Sequence, residues 1–401
     1  MLIRNQHADY QKPLETIDAE TLGVAAGETV ERFLARRPNH RPTPLRSLPA
    51  LAEELGLGAI YLKDEGYRLG LGSFKALGGA YAVIRLVLEA AEQELGRPID
   101  IAELHDPAVA KISATMTFGC ATDGNHGRSV AQGAQLVGAR SVIFVHGGVS
   151  DARIAAIARY GAEMVRVAGT YDDSVAEAAR VCAANGWTVV SDTSWPGYER
   201  IPGLVMQGYT AIFREALEKL PLAPTHVFIQ SGVGGIAAAA SGYLACRFGA
   251  ARPTFVVVDP ARAACIFETA RTGQPAKLQH GEPTVMAMLE CYEPSLLAWR
   301  VLSRVADAFM TVEDETAIEV MNLLARPLGH DPVIVAGESG GAGLAGLLVA
   351  ARNPEMREAI GLGANSRVLL VVTEGATDPD RYRELVGLTP ADLMSNAAAG
   401  K

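Results

Sequence analysis

Basic residues are scarce in this sequence, and they do not cluster. The chain of 401 residues holds 36 Lys and Arg against 45 Asp and Glu, which gives a formal net charge of −9. Proteins that bind nucleic acids or anionic membrane surfaces concentrate Lys and Arg in a patch or stripe. Because the sequence has no such concentration, it indicates neither a nucleic-acid partner nor a membrane partner.

Long apolar runs are also missing. No stretch approaches the roughly 18 uninterrupted apolar residues of a membrane-spanning helix. The segment 1–20 has neither the apolar core nor the small-residue cleavage site of a secretory signal peptide. We therefore expect a cytoplasmic protein.

Cysteine is sparse. The five cysteines are far apart in the sequence, and none of them forms a Cys-x-x-Cys pair. An odd, scattered set argues against a disulfide framework and against a cysteine-based zinc site, so we expect reduced thiols and no metal. Whether Cys265 and Cys291 meet is left open, because spacing does not decide which cysteines are close.

Apolar runs of strand length alternate with helical patterns through most of the chain. The strand runs are rich in β-branched residues and lack polar alternation, which is typical of parallel strands covered on both faces. The predicted strands are Ser141–Val145, Glu163–Val167, Trp187–Val190, His226–Gln230, Thr254–Val258 and Val368–Val372. The predicted helices include Ser129–Leu136, Asp151–Tyr160, Ser174–Asn185 and Thr210–Leu220. Repeated strand–helix–strand units predict an α/β protein with open, doubly wound sheets.

Two such series indicate two domains, and the chain is long enough to give each domain its own core. We predict a large domain formed by residues 1–79 and 192–401, with a small domain, residues 80–191, inserted into it. A ligand site in the cleft between the domains is the expected arrangement.

The segment Gly72–Ala80 contains Lys75 among glycines and other small residues. Small neighbours leave room for another group beside the ammonium, and burial lowers the pKa of a lysine toward use as a nucleophile. Most lysines, however, are solvated surface charges. The residue pattern alone leaves both interpretations of Lys75 open.

A second segment, Thr122–Arg128, places glycines and an asparagine before the predicted helix Ser129–Leu136. Backbone N–H groups at the positive end of a helix dipole form an anion site, suited to a carboxylate or a phosphate. A simple N-cap explains the same residues equally well.

A third segment, Ser231–Ala237, follows a predicted strand and opens an alanine-rich helix. Its glycines allow the backbone to close on a phosphate at the helix N-terminus. The same residues match the Gly-x-Gly-x-x-Ala dinucleotide fingerprint, with Asp259 as a candidate ribose ligand at the end of the next strand. The interval from Gly232 to Asp259 exceeds the usual ~20 residues, which argues against a dinucleotide site. Because the glycine pattern itself matches, a nicotinamide-dependent dehydrogenase remains an alternative.

A fourth segment, Val372–Gly375, stands at the carboxyl end of a predicted buried strand. Open α/β sheets bind ligands outside the carboxyl ends of their strands, which makes Thr373 a candidate binding residue. A hydroxyl that only caps the turn is the alternative.

Taken in order, the four segments resemble the fold-type II pyridoxal-phosphate enzymes, which include threonine and serine dehydratases, cysteine synthase and the tryptophan synthase β-subunit. The similarity runs from Thr43 to the segment after Thr373. It implies that Lys75 carries pyridoxal phosphate as a Schiff base, that Asn125 contacts the 3′-oxygen of the cofactor and that Thr373 faces its pyridine nitrogen. The cofactor-binding residues implied by the resemblance are Lys75, Phe74, Asn125, Gly232, Val233, Gly234, Gly235, Ile236 and Thr373.

Longer segments resemble the diaminopropionate ammonia-lyases within that superfamily. These segments are Ala121–Gly127, Ser191–Trp195 and Ile201–Tyr209. The resemblance implies a homodimeric carbon–nitrogen lyase that converts D- and L-2,3-diaminopropionate to pyruvate and ammonia. Two details depart from the family pattern, because Gly72-Ser73 stands where Asn-Ala is expected and Gly203-Leu204 precedes the Met206–Tyr209 stretch. These departures leave room for a shifted substrate.

This resemblance assigns Lys75 and Asp123 as the catalytic bases, one for each face of the cofactor. The residues implied to bind the amino-acid substrate are Thr122, Asp123, Gly124, His126 and Asp192. We expect Asp192 to anchor the cationic β-ammonium group, since a carboxylate attracts a cation. The N-cap of a short turn is the alternative role for Asp192, and a hydrogen bond that fixes the loop is the expected role of His126.

Three alternative functions remain at this point. A threonine or serine dehydratase would have the same fold, but its leaving group is a hydroxyl, for which acids at positions 123 and 192 offer no evident advantage. A nicotinamide-dependent dehydrogenase would explain the glycine segment but not Lys75. A non-catalytic amino-acid sensor would have no need of Lys75.

Overall fold

The computed structural model describes residues 1–37, 40–122 and 124–399. The chain divides into two compact units. The first unit consists of Met1–Val24, Arg41–Phe74 and Ile212–Lys401, and the second consists of Ala25–His40 and Lys75–Ala211. Within the described residues, no helix is long and apolar enough to cross a membrane.

The described residues form eleven strands and seventeen α-helices. The strands are β1 (Leu2–Arg4), β2 (Leu45–Ser47), β3 (Ala59–Asp64), β4 (Thr117–Ala121), β5 (Arg140–His146), β6 (Glu163–Val167), β7 (Thr188–Val189), β8 (His226–Gln230), β9 (Thr254–Pro260), β10 (Ala308–Val312) and β11 (Arg367–Val372). The helices are α1 (Thr16–Leu22), α2 (Val24–Leu34), α3 (Pro49–Glu54), α4 (Lys75–Leu95), α5 (Pro107–Ser113), α6 (Asn125–Val137), α7 (Asp151–Ala158), α8 (Tyr171–Asn185), α9 (Arg200–Lys219), α10 (Gly235–Phe248), α11 (Cys265–Thr272), α12 (Leu296–Val305), α13 (Asp314–Ala325), α14 (Ala342–Arg352), α15 (Pro354–Ile360), α16 (Pro379–Val386) and α17 (Pro390–Ala399).

The first unit is built on a seven-stranded sheet with the order β1-β10-β9-β8-β11-β3-β2. The five inner strands are parallel, and β1 and β2 pair antiparallel at the two edges. Strand β8 is buried along its whole length, as its apolar sequence predicts for a strand covered on both faces. Because β8 and β11 are parallel neighbours, the segments that follow them leave the sheet at the same edge.

The second unit contains a four-stranded parallel sheet with the order β6-β5-β4-β7. The six strands predicted from the sequence are all present across the two sheets, with ends within two residues of the predicted ones. The predicted α/β class with open, doubly wound sheets is thus confirmed. Strands β4 and β7 are parallel neighbours, so the segments after Ala121 and Val189 also leave the sheet at one edge.

Three helices begin earlier than the sequence predicts. Helix α8 begins at Tyr171 instead of Ser174. Helix α9 begins at Arg200 instead of Thr210, because a proline within the first helical turn, here Pro202, removes no intrahelical hydrogen bond. Helix α6 begins at Asn125 instead of Ser129. As a result Asn125 and His126 lie in the first turn of a helix and not in the loop before it.

Gly78 and Gly79, two of the small residues after Lys75, serve helix packing. A Cβ atom on Gly78 would lie 2.7 Å from the carbonyl oxygen of Val205 in α9, and one on Gly79 would lie 2.9 Å from the hydroxyl of Ser129 in α6. That hydroxyl also accepts a hydrogen bond from the backbone N–H of Ala80 at 2.9 Å. The start of α4 is therefore held close to two other helices of its unit, and Lys75 is its first residue.

Four buried charges link β3 and the segment after it to α9 within the first unit. The Arg68 guanidinium donates two hydrogen bonds of 2.8 Å to the Glu215 carboxylate and lies 2.7 Å from Glu65. Lys63 lies 2.5 Å from Glu215, and the Thr43 hydroxyl bonds Glu65 at 2.5 Å. The sequence analysis missed this ionic cluster, and its only signal was the run of charged residues that ends the apolar strand β3.

Candidate active site

Lys75 forms an ion pair with Asp192 in the second unit. The lysine is the first residue of α4, and the carboxylate stands three positions after β7. About a fifth of each side chain is exposed, 22% for Lys75 and 18% for Asp192. Burial would raise the pKa of the Asp192 carboxyl, but the Lys75 ammonium and His126 outweigh it and hold that pKa well below its usual range. Asp192 is therefore a carboxylate at neutral pH.

His126 lies behind this pair. Its Nδ1 is 4.0 Å from the Asp192 carboxylate, and its Nε2 is 2.9 Å from the carbonyl oxygen of Val190. Burial lowers the pKa of the His126 imidazole despite the nearby carboxylate. A neutral ring that faces a carbonyl through Nε2 carries its proton there, since a carbonyl only accepts. His126 thus fixes the start of α6 to the segment after β7, and this contact agrees with the loop-fixing role expected for it.

Thr122 shapes the turn between β4 and α6. Its hydroxyl accepts hydrogen bonds from the backbone N–H groups of Gly124 at 3.1 Å and Gly127 at 3.2 Å. These two N–H groups were candidates for binding an anion, but the hydroxyl already occupies them. Asn125 is buried in the first turn of α6. Asp123, the predicted second base, lies outside the described residues.

The predicted phosphate segment is in the first unit, between β8 and α10. Gly234 has φ +103°, a conformation that favours glycine. A Cβ atom there would lie 2.9 Å from the Cβ of Ala298, and one on Gly232 would lie 3.0 Å from the Cys291 sulfur. The N-cap of α10 is Gly234, and among the described residues no side chain caps this helix end, so its first N–H groups are available to an anion. Val233, Gly235 and Ile236 complete the segment.

Thr373 follows β11 in the same unit and is buried. Its backbone carbonyl accepts a hydrogen bond of 2.9 Å from the N–H of Phe74, the residue before Lys75. Its hydroxyl accepts a hydrogen bond of 2.8 Å from the side-chain amide of Gln230, the last residue of β8. Sequence reasoning did not single out Gln230, although a polar residue that ends a wholly apolar strand was a usable signal.

Asp259 does not have the environment of a ribose ligand. Its carboxylate is buried within the first unit and accepts a hydrogen bond of 2.9 Å from the backbone N–H of Phe267 in α11. Burial raises the pKa of the Asp259 carboxyl well above its usual value. This arrangement argues against the dinucleotide interpretation of the glycine segment. Cys265 and Cys291, whose pairing was left open, are not joined by a disulfide.

The sequence profile of the family described as "Pyridoxal-phosphate dependent enzyme" matches residues 36–374. The match includes Lys75, the glycine segment and Thr373. The chain belongs to this family of pyridoxal-phosphate-dependent enzymes.

Within the family, the chain is similar to diaminopropionate ammonia-lyases, as the sequence predicted. It is 37% identical over 361 residues to the diaminopropionate ammonia-lyase of Escherichia coli K12, with 88% of this chain and 89% of the relative covered. The crystal structure of the Escherichia coli enzyme with an aminoacrylate–pyridoxal-phosphate azomethine intermediate has 35% identity and a TM-score of 0.85. The complex of that enzyme with D-serine has 34% identity and a TM-score of 0.86. Both comparisons cover 96% of this chain and 96% of the other.

The described residues fit pyridoxal phosphate. The uncapped N-terminus of α10 and the glycines before it suit a phosphate. The hydroxyl of Thr373 accepts from Gln230 and so keeps its own hydrogen for another acceptor, and Lys75 supplies the amine that this cofactor requires.

Proposed function

We propose that the chain catalyses the α,β-elimination of 2,3-diaminopropionate, as both D- and L-isomers, to pyruvate and two molecules of ammonia. It is then a pyridoxal-phosphate-dependent carbon–nitrogen lyase. The similarity to the ammonia-lyases supports this proposal over most of the chain.

The observation that carries the proposal is the ion pair of Lys75 with Asp192. With Lys75 holding the cofactor through its Nζ, the Asp192 carboxylate would be available to a cation of the substrate. The β-ammonium group of diaminopropionate restores a positive charge beside it, whereas the β-hydroxyl of serine or threonine does not. Asp192 therefore favours a diamino acid over a hydroxy amino acid.

Bound pyridoxal phosphate supplies an electron sink for the negative charge that develops at Cα. The residues of the chain bind and orient the reactants. The N–H groups of segment 232–236 bind the phosphate, with Phe74 and Asn125 against the cofactor. Thr373 presents a hydroxyl to the ring nitrogen. A hydroxyl does not stabilise a proton on that nitrogen as a carboxylate would. The weaker sink favours prompt loss of the β-amine.

The two isomers of the substrate lose their Cα protons to two different bases. The Nζ of Lys75 removes the Cα proton on the face of the cofactor ring to which Lys75 was attached. Asp123 removes the Cα proton on the opposite face, where the D-isomer presents it. The segment that holds Thr122, Gly124 and His126 binds the α-carboxylate of the substrate through groups other than the two N–H groups that the Thr122 hydroxyl engages. Thr122 and His126 hold this segment in shape through the hydrogen bonds described above.

A cytoplasmic homodimer is part of this proposal. The resemblance to the ammonia-lyases supports the dimer, and five cysteines that form no disulfide agree with a reducing compartment. Sedimentation equilibrium of the purified enzyme should give twice the chain mass of 42.3 kDa. A mass of one chain would contradict the dimer without affecting the proposed reaction.

The reaction is tested by release of pyruvate and ammonia from separate isomers of 2,3-diaminopropionate, serine and threonine. We expect both diaminopropionate isomers to react with higher kcat/KM than either hydroxy amino acid, with two ammonia molecules for each pyruvate. Faster turnover of serine or threonine would instead favour a dehydratase.

The same preparation tests the cofactor lysine. Borohydride should fix the cofactor to Lys75, and Lys75→Ala should lose turnover while remaining folded. Recovery of the label on another lysine would contradict the site.

A further inference from the structure

The side-chain amide of Gln230 has only one possible orientation. Its Oε1 accepts a hydrogen bond of 3.2 Å from the backbone N–H of Gly343. Its Nε2 donates to the carbonyl oxygens of Gly340 at 2.7 Å and Val371 at 3.1 Å. A flipped amide would place Oε1 against two carbonyl oxygens and Nε2 against an N–H, so that all three contacts would be repulsive. The backbone of the first unit therefore fixes which end of the amide donates.

This orientation decides the direction of the next hydrogen bond. The same Nε2 lies 2.8 Å from the hydroxyl oxygen of Thr373 and can only donate to it. Its two hydrogens are shared among three oxygens, and the contacts with Gly340 and Thr373 are the shortest. Thr373 is 3% exposed, and none of the described residues accepts the hydrogen of its hydroxyl. The hydrogen of the Thr373 hydroxyl is therefore available to an acceptor that is not one of the described residues.

We propose that Gln230 is a positioning residue that makes Thr373 an obligatory hydrogen-bond donor and so keeps the pyridine nitrogen of the bound cofactor unprotonated. This inference rests on the proposed function, which places Thr373 at that nitrogen. A pyridine without a proton accepts from the hydroxyl and satisfies it. A protonated nitrogen would need the hydroxyl as an acceptor, and the hydroxyl hydrogen would then be buried without a partner, which is unfavourable.

The expected change in the pKa of the pyridine nitrogen follows from the cost of leaving the Thr373 hydroxyl hydrogen without an acceptor. Leaving a buried donor unsatisfied shifts an equilibrium by about tenfold or more, which corresponds to about one pKa unit or more at the pyridine nitrogen. Without the Gln230 amide, the carbonyl oxygens of Gly340 and Val371 lose that donor, so the hydroxyl can turn its hydrogen toward one of them and accept from a protonated nitrogen. Gln230 touches neither the substrate nor the reacting atoms in this account, so it acts only through Thr373.

The test reads the protonation state of the nitrogen directly. The holoenzyme is loaded with pyridoxal phosphate labelled with ¹⁵N in the ring, and the ¹⁵N chemical shift is recorded as a function of pH. In the wild type we expect the shift of an unprotonated pyridine throughout the range in which the protein is folded. In Gln230→Met, which keeps the side-chain length but has no donor, we expect the protonation midpoint to rise by about one pH unit or more. Gln135→Met, at an exposed glutamine of α6, is the control and should match the wild type.

If Gln230→Met does not fold, the wild-type spectrum still tests the inference. A protonated nitrogen in the wild type at pH 7 would overturn the inference, and so would a folded Gln230→Met with the wild-type midpoint, since Gln230 would then be only structural. Both results leave the proposed function intact when borohydride still fixes the cofactor to Lys75. Failure of that attachment would contradict the proposed function itself, and the inference with it.

Discussion

Asp64 is a buried carboxyl at the end of β3, 2% exposed, and its main partner is the backbone N–H of Gly66 at 3.1 Å. Burial raises the pKa of Asp64 from 3.8 to about 6, and the hydrogen bond from Gly66 only partly opposes this. A carboxyl whose pKa is higher in the folded state binds more protons there than when unfolded. The free energy of unfolding therefore falls as the pH rises from about 3.8 through about 6.

Asp64→Asn should raise stability above pH 6, because the amide oxygen can still accept from Gly66 and no charge is buried. We expect a gain on the order of 2 kcal/mol at pH 7.5 and little gain at pH 4. Urea unfolding at both pH values measures the difference. Glu94→Gln, at an exposed position of α4, is the control. An equal effect of Asp64→Asn at the two pH values would show that ionisation is not the cause.

Asp123 is the residue for which the isomers of the substrate give the sharpest test. In a planar intermediate with one carboxylate anchor, D- and L-isomers present their Cα hydrogens to opposite faces, and Lys75 serves only one of them. Asp123→Asn keeps the shape of the side chain but removes the base, a loss that commonly reduces rates by about 10²–10⁴. We expect that reduction for D-diaminopropionate and a far smaller one for the L-isomer. Equal losses would make Asp123 a substrate anchor, and unchanged rates would contradict its assignment.

The sequence singled out candidate site residues but not the partners that they contact. Lys75 and Asp192 were both singled out, yet they are 117 positions apart, and no local pattern reports a contact across that distance. The same holds for Gln230 and Thr373, 143 positions apart. Thr122 was expected to bind substrate directly, but only the structure shows its hydroxyl engaged by two backbone N–H groups.

At the scale of elements, the start of α4 is tightly packed against α9. Gly78→Ala would place a methyl group 2.6 Å from the Tyr209 ring and 2.7 Å from the backbone of Val205. Alanine is the better helix former, so any loss of stability reports crowding alone. We expect a loss of about 1–3 kcal/mol in thermal or urea unfolding, with weaker cofactor binding because Lys75 lies one turn away. Gly363→Ala, where nothing lies within 4 Å of the new Cβ, should be close to neutral; similar losses in both variants would contradict the crowding argument.

The elements that could be predicted are those with a strong periodic pattern. The buried parallel strands carry β-branched runs, and all six predicted ones are present. The edge strands β1 and β2 have three residues each, too few to show any alternation, and they form because an open sheet edge is available beside them. The first turns of α6 and α9 contain glycine or proline, which propensity assigns to loops but which packing and position allow in a helix.

For the whole molecule, binding of the cofactor should appear as stability. A ligand that binds only the folded state adds RT ln(1 + [L]/Kd), about 2.7 kcal/mol at one hundred times Kd. We expect pyridoxal phosphate to raise the melting temperature of the cofactor-free protein by several degrees, and Lys75→Ala to show a smaller rise because only the non-covalent contacts remain. Differential scanning fluorimetry with and without the cofactor measures both. A rise with NAD in place of pyridoxal phosphate would instead revive the dehydrogenase alternative.

The cluster of Lys63, Glu65, Arg68 and Glu215 has a consequence for how this sequence can change over generations. Its charges are buried and balanced, two of each sign. Loss of one partner leaves an uncompensated buried ion and costs about 3–5 kcal/mol, whereas replacing a whole set by apolar residues of similar volume is often tolerated. We therefore expect the loss of stability to select against single substitutions at these four positions, whereas joint replacements can be tolerated. The positions should be inherited as a block and should vary together or not at all among descendants of this gene.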